Sequence, residues 1–226
     1  MAGSNAAGDM TDPIRKAERH GGAAARSRTR AFFLVAGLGA LLIPAAVAMA
    51  HAMSIDLKPP FKFDIADVFV GLVAVAPLAA LLRWFMKTAW PPLAGFRESQ
   101  LKFFAEIGFR LSRPRIFTLA IIAGIGEELI FRGVLQEVID RRFGIVAAIL
   151  LTNLVFGLLH ARTPLYAAIA AMVGGYFSLL YAATGSLIAP IIAHAVYDFI
   201  AFDWTRIALD RRDAISPAAQ NRALPQ

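Results

Sequence analysis

The segment IIAGIGEELIFRG, residues 121–133, places two adjacent glutamates and an arginine in a run that is otherwise apolar. A charged side chain at the centre of a membrane helix costs roughly 2.5–3.5 kcal/mol on insertion scales. Glu127, Glu128 and Arg132 are therefore difficult to explain as packing residues. Ionisable groups at membrane depth usually face a polar cavity and mark a functional site. The segment predicts a membrane helix that carries such a site.

The composition of the whole chain agrees with a membrane environment. Of its 226 residues, 58% are hydrophobic and only 17% are charged, whereas a soluble domain has about 25% charged residues. The net charge of +7 comes from basic residues at segment ends and in the tails, which favours the positive-inside pattern of membrane proteins over nucleic-acid binding. The absence of cysteine excludes disulfides and thiolate metal sites. We predict one all-α, polytopic membrane helix bundle.

The apolar runs predict about six transmembrane helices. The first run, residues 31–50, has the roughly 20 residues needed to span a bilayer. A cleaved signal peptide is the competing interpretation, but the run exceeds the apolar core of about 7–15 residues typical of such peptides. The remaining spans are predicted over residues 66–86, 116–139, 144–160, 165–183 and 186–202.

The chain divides into four parts. Residues 1–30 are interpreted as a disordered cytoplasmic tail, because they lack a periodic apolar pattern. Residues 31–115 hold non-catalytic helices and a basic connection, residues 116–203 form the catalytic core, and residues 204–226 form a second tail. Arginines near both ends predict a multi-pass protein of the cell membrane with both termini in the cytoplasm.

Two helix faces carry further predictions. Leu101, Phe104, Ile107 and Leu111 recur at helical spacing within the basic connection, as in a helix lying at the membrane interface. An ordinary solvated connector with a few apolar contacts is equally consistent with this pattern. Small residues on one face of the fifth span predict a close helix contact; they are Ala167, Ala171 and Gly175.

The glutamate pair suggests a division of roles. Glu128 and Arg132 are four residues apart, with the acid on the N-terminal side, which is the better orientation for a helical ion pair. Glu127 is rotated about 100° from Glu128 around the helix axis. Arg132 can therefore neutralise Glu128 and leave Glu127 free to act. The alternative is that all three residues form a structural salt-bridge cluster.

Two later spans carry histidines. Asn153, Phe156 and His160 share one face of the fourth span, and His194 and Asp198 share one face of the sixth. Each group could be structural, as an interfacial anchor or a buried hydrogen-bonded pair. Three spans nevertheless bring carboxylate or imidazole groups to lipid depth, where polar groups must find partners. We therefore expect these groups to converge.

Two chemistries fit such a cluster. Glu127, His160 and His194 could hold a divalent metal such as zinc, with an open position for water. Alternatively, Glu127 and His160 could deprotonate a water directly, while His194 and Asp198 stabilise the oxyanion formed on a peptide carbonyl. The second role requires a protonated Asp198, which burial would favour.

These residues resemble the three motifs of the CPBP family, the type II CAAX prenyl proteases with their bacterial relatives in bacteriocin processing and immunity, also called the Abi family. The resemblance rests on the stretch from Glu127 to Arg132, on Phe156 before His160, and on His194 before Asp198. It covers residues 115–203. It implies that Glu127 and His160 activate water and that His194 and Asp198 form the oxyanion site. The position of Asp198 is often asparagine in the prenyl proteases, so this residue departs from the pattern.

The resemblance implies an intramembrane endopeptidase that acts on a protein or peptide substrate. Members are commonly labelled metalloproteases, although structural work on the family favours a metal-free glutamate mechanism. Glu128, Arg132, Asn153 and Phe156 are expected to support the site. The alternatives are a non-proteolytic proton or ion relay and a bacteriocin-immunity scaffold. The sequence does not indicate the oligomeric state.

Overall fold

The computed structural model describes the backbone of residues 13–215 and the side chains of residues 26–214. Within these ranges the protein is helical and contains no strand, so the predicted all-α fold is confirmed. The predicted tails at residues 1–12 and 216–226 lie outside the described residues. In chain order the elements are α1 (Pro13–Ala40), α2 (Leu42–Ala52), α3 (Ile65–Lys87), α4 (Pro91–Glu106), α5 (Arg113–Glu128), a π-helical segment (Leu129–Gln136), α6 (Glu137–Phe143), α7 (Ile145–Leu159), α8 (Pro164–Thr184) and α9 (Ile188–Ile215).

Three helical stretches within the described residues are long and apolar enough to cross a membrane: Arg26–Ala52, Ile65–Lys87 and Pro164–Thr184. They coincide with the first, second and fifth predicted spans. The apolar helix α7 has only 15 residues, and the third and sixth predicted spans carry the polar residues of the site, which lower their hydropathy. Length and composition therefore identify three candidate membrane-spanning helices among the described residues, and the predicted count of about six is not confirmed.

Both ends of the described chain are more helical than predicted. Residues 13–30 belong to α1, although the sequence predicted a disordered tail through residue 30. At the other end, α9 continues past the predicted end of the core at residue 203 as far as Ile215. Both stretches are rich in alanine and arginine, which favour helix. Each stretch also continues a helix that has already formed, so no new nucleation is required.

Helix α9 lies at the centre of the bundle and packs against α3, α5 and α8. Glycines let two of these neighbours approach closely. A Cβ atom at Gly71 of α3 would lie 2.6 Å from the carbonyl oxygen of Ala189, and one at Gly124 of α5 would lie 3.0 Å from the amide nitrogen of Ala195. Small residues at such contacts are typical of membrane helix packing. This packing holds α5 and α9, which carry Glu127 and His194, against each other.

A second close contact joins α7 to α8. A Cβ atom at Gly157 would lie 2.6 Å from the carbonyl oxygen of Ala167 and 2.9 Å from the Cβ atom of Ala171. The predicted small-residue contact is therefore present at Ala167 and Ala171. At Gly175 the prediction was wrong, because an added Cβ atom there would meet nothing within 4 Å.

These two glycines provide a matched test of helix packing. We expect Gly157→Ala to lower the free energy of unfolding by about 1–3 kcal/mol, because the added methyl group would force α7 and α8 apart. Gly175→Ala should be neutral or stabilising by up to about 1 kcal/mol, since alanine restricts the unfolded chain at no steric cost. Denaturant unfolding in detergent measures both values. Equal losses in the two variants would contradict the assigned contact.

The apolar face of the basic connection packs against the protein itself. Leu101 and Leu111 are buried, and the ring of Phe104 lies 5.5 Å from the ring of Phe202 in α9. On the outer side of α4, Nη1 of Arg212 donates a hydrogen bond of 2.7 Å to Glu98. This contact holds the pKa of the Glu98 carboxyl below its ordinary value. Helix α4 thus contacts α9 through one aromatic contact and one ion pair.

Candidate active site

Glu128, at the C-terminal end of α5, is fully buried. Its Oε1 atom accepts a hydrogen bond of 3.0 Å from Nη1 of Arg132, so the predicted ion pair is present. The same oxygen lies 2.7 Å from Nδ1 of His194. Because an ionised carboxylate only accepts hydrogen bonds, Nδ1 of His194 carries the proton in this contact. Glu128 therefore fixes the orientation of a histidine on another helix.

Arg132 lies in the π-helical segment and is also fully buried. Its Nη2 atom donates a 3.1 Å hydrogen bond to Oδ1 of Asn153 on α7 and a second to the carbonyl oxygen of Gly174 on α8. Nδ2 of Asn153 in turn donates to Oγ of Ser178, at 2.8 Å. A Cβ atom at Gly174 would lie 2.6 Å from Oδ1 of Asn153, so this position has no room for a side chain. Arg132 thus connects the π-helical segment to α7 and α8.

Glu127 has a different environment from its neighbour. Its side chain is 19% exposed, whereas that of Glu128 is 0% exposed. Its Oε2 atom lies 3.9 Å from Nε2 of His160 on α7 and 3.9 Å from Nε2 of His194 on α9. The predicted convergence of three helices is therefore present, and it occurs around a carboxylate that has no arginine partner within 4.0 Å among residues 26–214.

His160 follows the last residue of α7. Its Nδ1 atom lies 2.8 Å from the carbonyl oxygen of Phe156, and its ring stacks on the ring of Phe156 at a centroid distance of 4.3 Å. A carbonyl oxygen only accepts hydrogen bonds, so Nδ1 carries the proton. In the neutral imidazole, Nε2 is then unprotonated and faces Glu127. Phe156 fixes this histidine through both its backbone and its ring.

His194 is buried, and its ring stacks on Phe177 of α8 at a centroid distance of 4.9 Å. Its Nε2 atom lies 3.5 Å from Oδ2 of Asp198, one helical turn further along α9. In the structure Glu128 holds Nδ1, and Asp198, with a side chain that is 20% exposed, faces Nε2 beside Glu127.

Sequence reasoning missed the contribution of α8 to the site. Gly174, Phe177 and Ser178 all contact the functional side chains of other helices. None of these residues is ionisable, and they lie in an apolar run without a polar motif. The only signal was the high content of small residues in this span, which predicted helix packing and not a hydrogen-bonded scaffold.

An arginine and an aromatic residue border the accessible side of the site. The ring of Tyr166 lies 6.3 Å from the ring of His160. The guanidinium of Arg162 lies 4.6 Å from the centre of the Tyr166 ring and 3.8 Å from that of Phe103 on α4, and it donates a hydrogen bond to Gln100. These contacts hold α4 beside the entrance to the site.

The spacing of the candidate metal ligands can be compared with that of a zinc site. Among the described residues, no three His, Asp or Glu side chains lie in the arrangement of a preformed metal site. Tetrahedral zinc ligands at about 2.1 Å from the ion are about 3.4 Å apart. The two histidine nitrogens each lie 3.9 Å from Oε2 of Glu127. Both distances are thus about 0.5 Å longer than the separation between two ligands of a tetrahedral zinc ion.

Comparison with known proteins supports the second half of the chain as the functional part. Residues 109–200 match the model of the family described as type II CAAX prenyl endopeptidase Rce1-like. This match confirms the resemblance expected from the motifs. The uncharacterized protein YpbD of Bacillus subtilis (strain 168) is 26% identical over 193 residues, which cover 80% of this chain and 94% of YpbD. No solved structure matches the chain.

The matched region contains all of the converging side chains. It begins before α5, ends within α9, and includes Glu127, His160, His194 and Asp198. The matched family is one of CAAX prenyl endopeptidases, and three described helical stretches are long and apolar enough to cross a membrane.

Proposed function

We propose that this chain, whose residues 109–200 match the model of the Rce1-like family of type II CAAX prenyl endopeptidases, hydrolyses a peptide bond of a protein or peptide substrate within the membrane. The observation that carries the proposal is the contrast between the two adjacent glutamates. Glu128 is fully buried and is held through Oε1 by Arg132 and His194, whereas Glu127 is partly exposed and faces two histidines. A purely structural ion-pair cluster would not leave a carboxylate in this position.

Glu127 and His160 are the proposed activators of water. Their facing atoms, Oε2 and Nε2, are 3.9 Å apart, so one water at about 2.8 Å from each can donate a hydrogen bond to both. Both of its hydrogens are then engaged, and its lone pairs are directed away from the two bases. A carbonyl carbon placed against this water meets the nucleophile in the required orientation.

His194 and Asp198 are the proposed oxyanion site. Because Nδ1 of His194 is engaged by Glu128, Nε2 can donate to an oxyanion only if the ring carries two protons. A neutral Asp198 then balances the charges of the site, with Glu127 and Glu128 negative and Arg132 and His194 positive. Such preorganised donors stabilise developing negative charge most effectively in a site that excludes water.

The proposed reaction begins with the attack of water on the carbonyl carbon. The water O–H bond breaks, its proton passes to Glu127, and the oxygen bonds to the carbonyl carbon. The oxyanion that forms accepts hydrogen bonds from His194 and Asp198. When the C–N bond breaks, the proton held at Glu127 passes to the departing amine, so the carboxylate is regenerated.

The role of Asp198 can be tested by Asp198→Asn. If the neutral acid donates a hydrogen bond, an asparagine N–H replaces it, and we expect kcat/KM to stay within about tenfold of the wild type. Asp198→Ala removes the donor and should lower kcat by about 10²–10³-fold. Cleavage of one fluorescent peptide substrate by both variants measures the difference. An equally large loss in Asp198→Asn would show that the ionised carboxylate is required.

The substrate can be found by comparing the proteomes of cells that carry the wild-type protein or Glu127→Ala. A protein whose membrane-proximal or C-terminal cleavage disappears with the variant would support the endopeptidase. Loss of an ion or solute flux with an unchanged proteome would favour the relay instead. Stoichiometric metal in the active purified protein would overturn the metal-free route.

We also propose that both termini are cytoplasmic. Protease added to either side of closed membrane vesicles that carry the protein tests this orientation.

A further inference from the structure

An open polar depression in the surface, called the cavity below, lies at the end of the bundle where α5 begins, well outside the catalytic cluster. It has a volume of about 540 Å³ and lies between the loop that precedes α5 and the C-terminal part of α9. Its lining contains three arginines and one carboxylate; the lining residues are Arg110, Leu111, Ser112, Arg113, Arg206 and Asp210.

The arginines of this cavity exceed the carboxylates that contact them. Among the described residues, only Asp203 and Asp210 lie within 4.0 Å of their guanidinium groups. Arg206 is fully engaged, with contacts of 2.8 and 2.9 Å to these two acids. Arg113 contacts Asp203 at 3.4 Å, and Arg110 contacts Asp210 at 3.9 Å. Arg110 and Arg113 therefore retain free donors and a surplus of positive charge.

A fourth arginine and a helix terminus add to this positive potential. Arg115 donates to the carbonyl oxygen of Arg110, and its guanidinium lies over the rings of Phe32 and Phe109. Within residues 26–214 it has no carboxylate partner within 4.0 Å. Helix α5 begins at the cavity, and its N-cap residue Ser112 makes no capping hydrogen bond through its side chain. Pro114 in the first turn contributes no N–H group, so the neighbouring residues supply the free donors. The first N–H groups of a helix attract anions, and phosphate above all.

The surface below the cavity is apolar. Phe117 and Ile121 follow Arg113 at intervals of four residues, so the three side chains lie on one face of α5. Phe117 is 59% exposed and Ile121 is 37% exposed. A soluble phosphate would use only the arginines, whereas a phospholipid would also cover this apolar stripe with an acyl chain. The combination of an anion site with an adjoining lipid-facing stripe is what a phospholipid requires.

We propose that this cavity binds the phosphate headgroup of an anionic phospholipid, with the acyl chain along Phe117 and Ile121. Arg110 and Arg113 hold the phosphate, while Arg206 stays with its two aspartates and shapes the cavity wall. Because the cavity joins the start of α5 to α9, the bound lipid links the two helices that carry Glu127 and His194. The proposal does not rest on the proteolytic function, and its test uses no cleavage assay.

The test compares lipid binding by the purified full-length protein in a neutral detergent. Native mass spectrometry is used to titrate phosphatidylglycerol, phosphatidylcholine and inorganic phosphate separately. We expect phosphatidylglycerol to bind at least tenfold more tightly than phosphatidylcholine. Arg110→Gln/Arg113→Gln should remove this preference, because both phosphate-binding groups are lost. The matched control is Arg83→Gln/Arg142→Gln, which removes two exposed arginines elsewhere and should retain the preference.

The outcomes separate the proposal from its alternatives. The proposal is wrong if phosphatidylglycerol binds no more tightly than phosphatidylcholine. It is also wrong if the test and control variants lose binding equally, because the cavity would then contribute nothing beyond general positive charge. Inorganic phosphate binding as tightly as the lipid would overturn the assignment to a phospholipid. Phe117→Gln should weaken lipid binding and leave phosphate binding unchanged. If the double variant does not fold, Arg110→Gln alone tests the lipid preference, because a side chain that is 77% exposed can be replaced without disturbing the fold.

Discussion

Glu127→Gln is expected to lower the rate of proteolysis by about 10²–10⁴-fold, the usual contribution of a general base. The amide is isosteric with the carboxylate but cannot take the proton of the attacking water. The side chain has no arginine partner and is partly exposed, so the variant should insert and fold as the wild type does. Initial cleavage rates in detergent, with a substrate found by proteomics, measure the effect.

The control for this prediction is Glu137→Gln. Glu137 begins α6 and pairs with Arg141 at 3.3 Å, away from the histidines. This control makes the same chemical change outside the site, so its rate should stay within about twofold of the wild type, as expected for a surface pair worth at most ~1 kcal/mol. Wild-type rates in Glu127→Gln would falsify the general-base role, whereas equal losses in both variants would point to a general effect on the fold.

Arg132→Ala is expected to lower the free energy of unfolding by about 3–5 kcal/mol, the range measured when one partner of a buried ion pair is removed. The variant leaves the carboxylate of Glu128 buried without its cation. It also removes the donors to Asn153 and Gly174, which tie α7 and α8 to the π-helical segment. Thermal and denaturant unfolding in detergent measure the loss.

Two further variants identify the cause of this loss. Adding Glu128→Gln to Arg132→Ala should restore part of the stability, because the unpaired charge is then absent. Arg141→Ala breaks another pair at the same four-residue spacing, but its side chain is 51% exposed. This control should lose no more than about 1 kcal/mol. A double variant no more stable than Arg132→Ala would contradict the pairing as the source of the stability.

The fold class and several local features followed from the sequence because they depend on neighbours along the chain. The length of an apolar run determines whether it can span a bilayer, and the four-residue spacing of Glu128 and Arg132 determines that they share a helix face. The turns before α7 and after α8 lie at Gly144 and Gly185, which adopt φ values of +81° and +65°, a backbone conformation that favours glycine. The three motifs were sufficient to identify the family that matches residues 109–200.

The sequence predicted which residues form the candidate site, but it did not predict the contacts between them. That Glu127, His160, His194 and Asp198 converge followed from the cost of unpartnered polar groups in lipid. Which carboxylate holds Nδ1 of His194 did not follow, because Glu128 lies 66 residues from it in the chain. That contact depends on the relative rotation of α5 and α9, and a rotation of one helix by a fraction of a turn would exchange Glu127 and Glu128 between the accessible and buried sides.

The sequence by itself thus determined the helical fold, the ion pair within one helix and the members of the candidate site. Only the tertiary structure decided the environments of Glu127 and Glu128, the backbone contact of Arg132 with Gly174 and the arginine-lined cavity at the start of α5. The physical reason is one of range. Helical spacing and hydropathy act within a few turns of one helix. Hydrogen bonds between helices require positions accurate to a few tenths of an ångström. The packing of Gly71, Gly124 and Gly157 against their neighbours sets these positions.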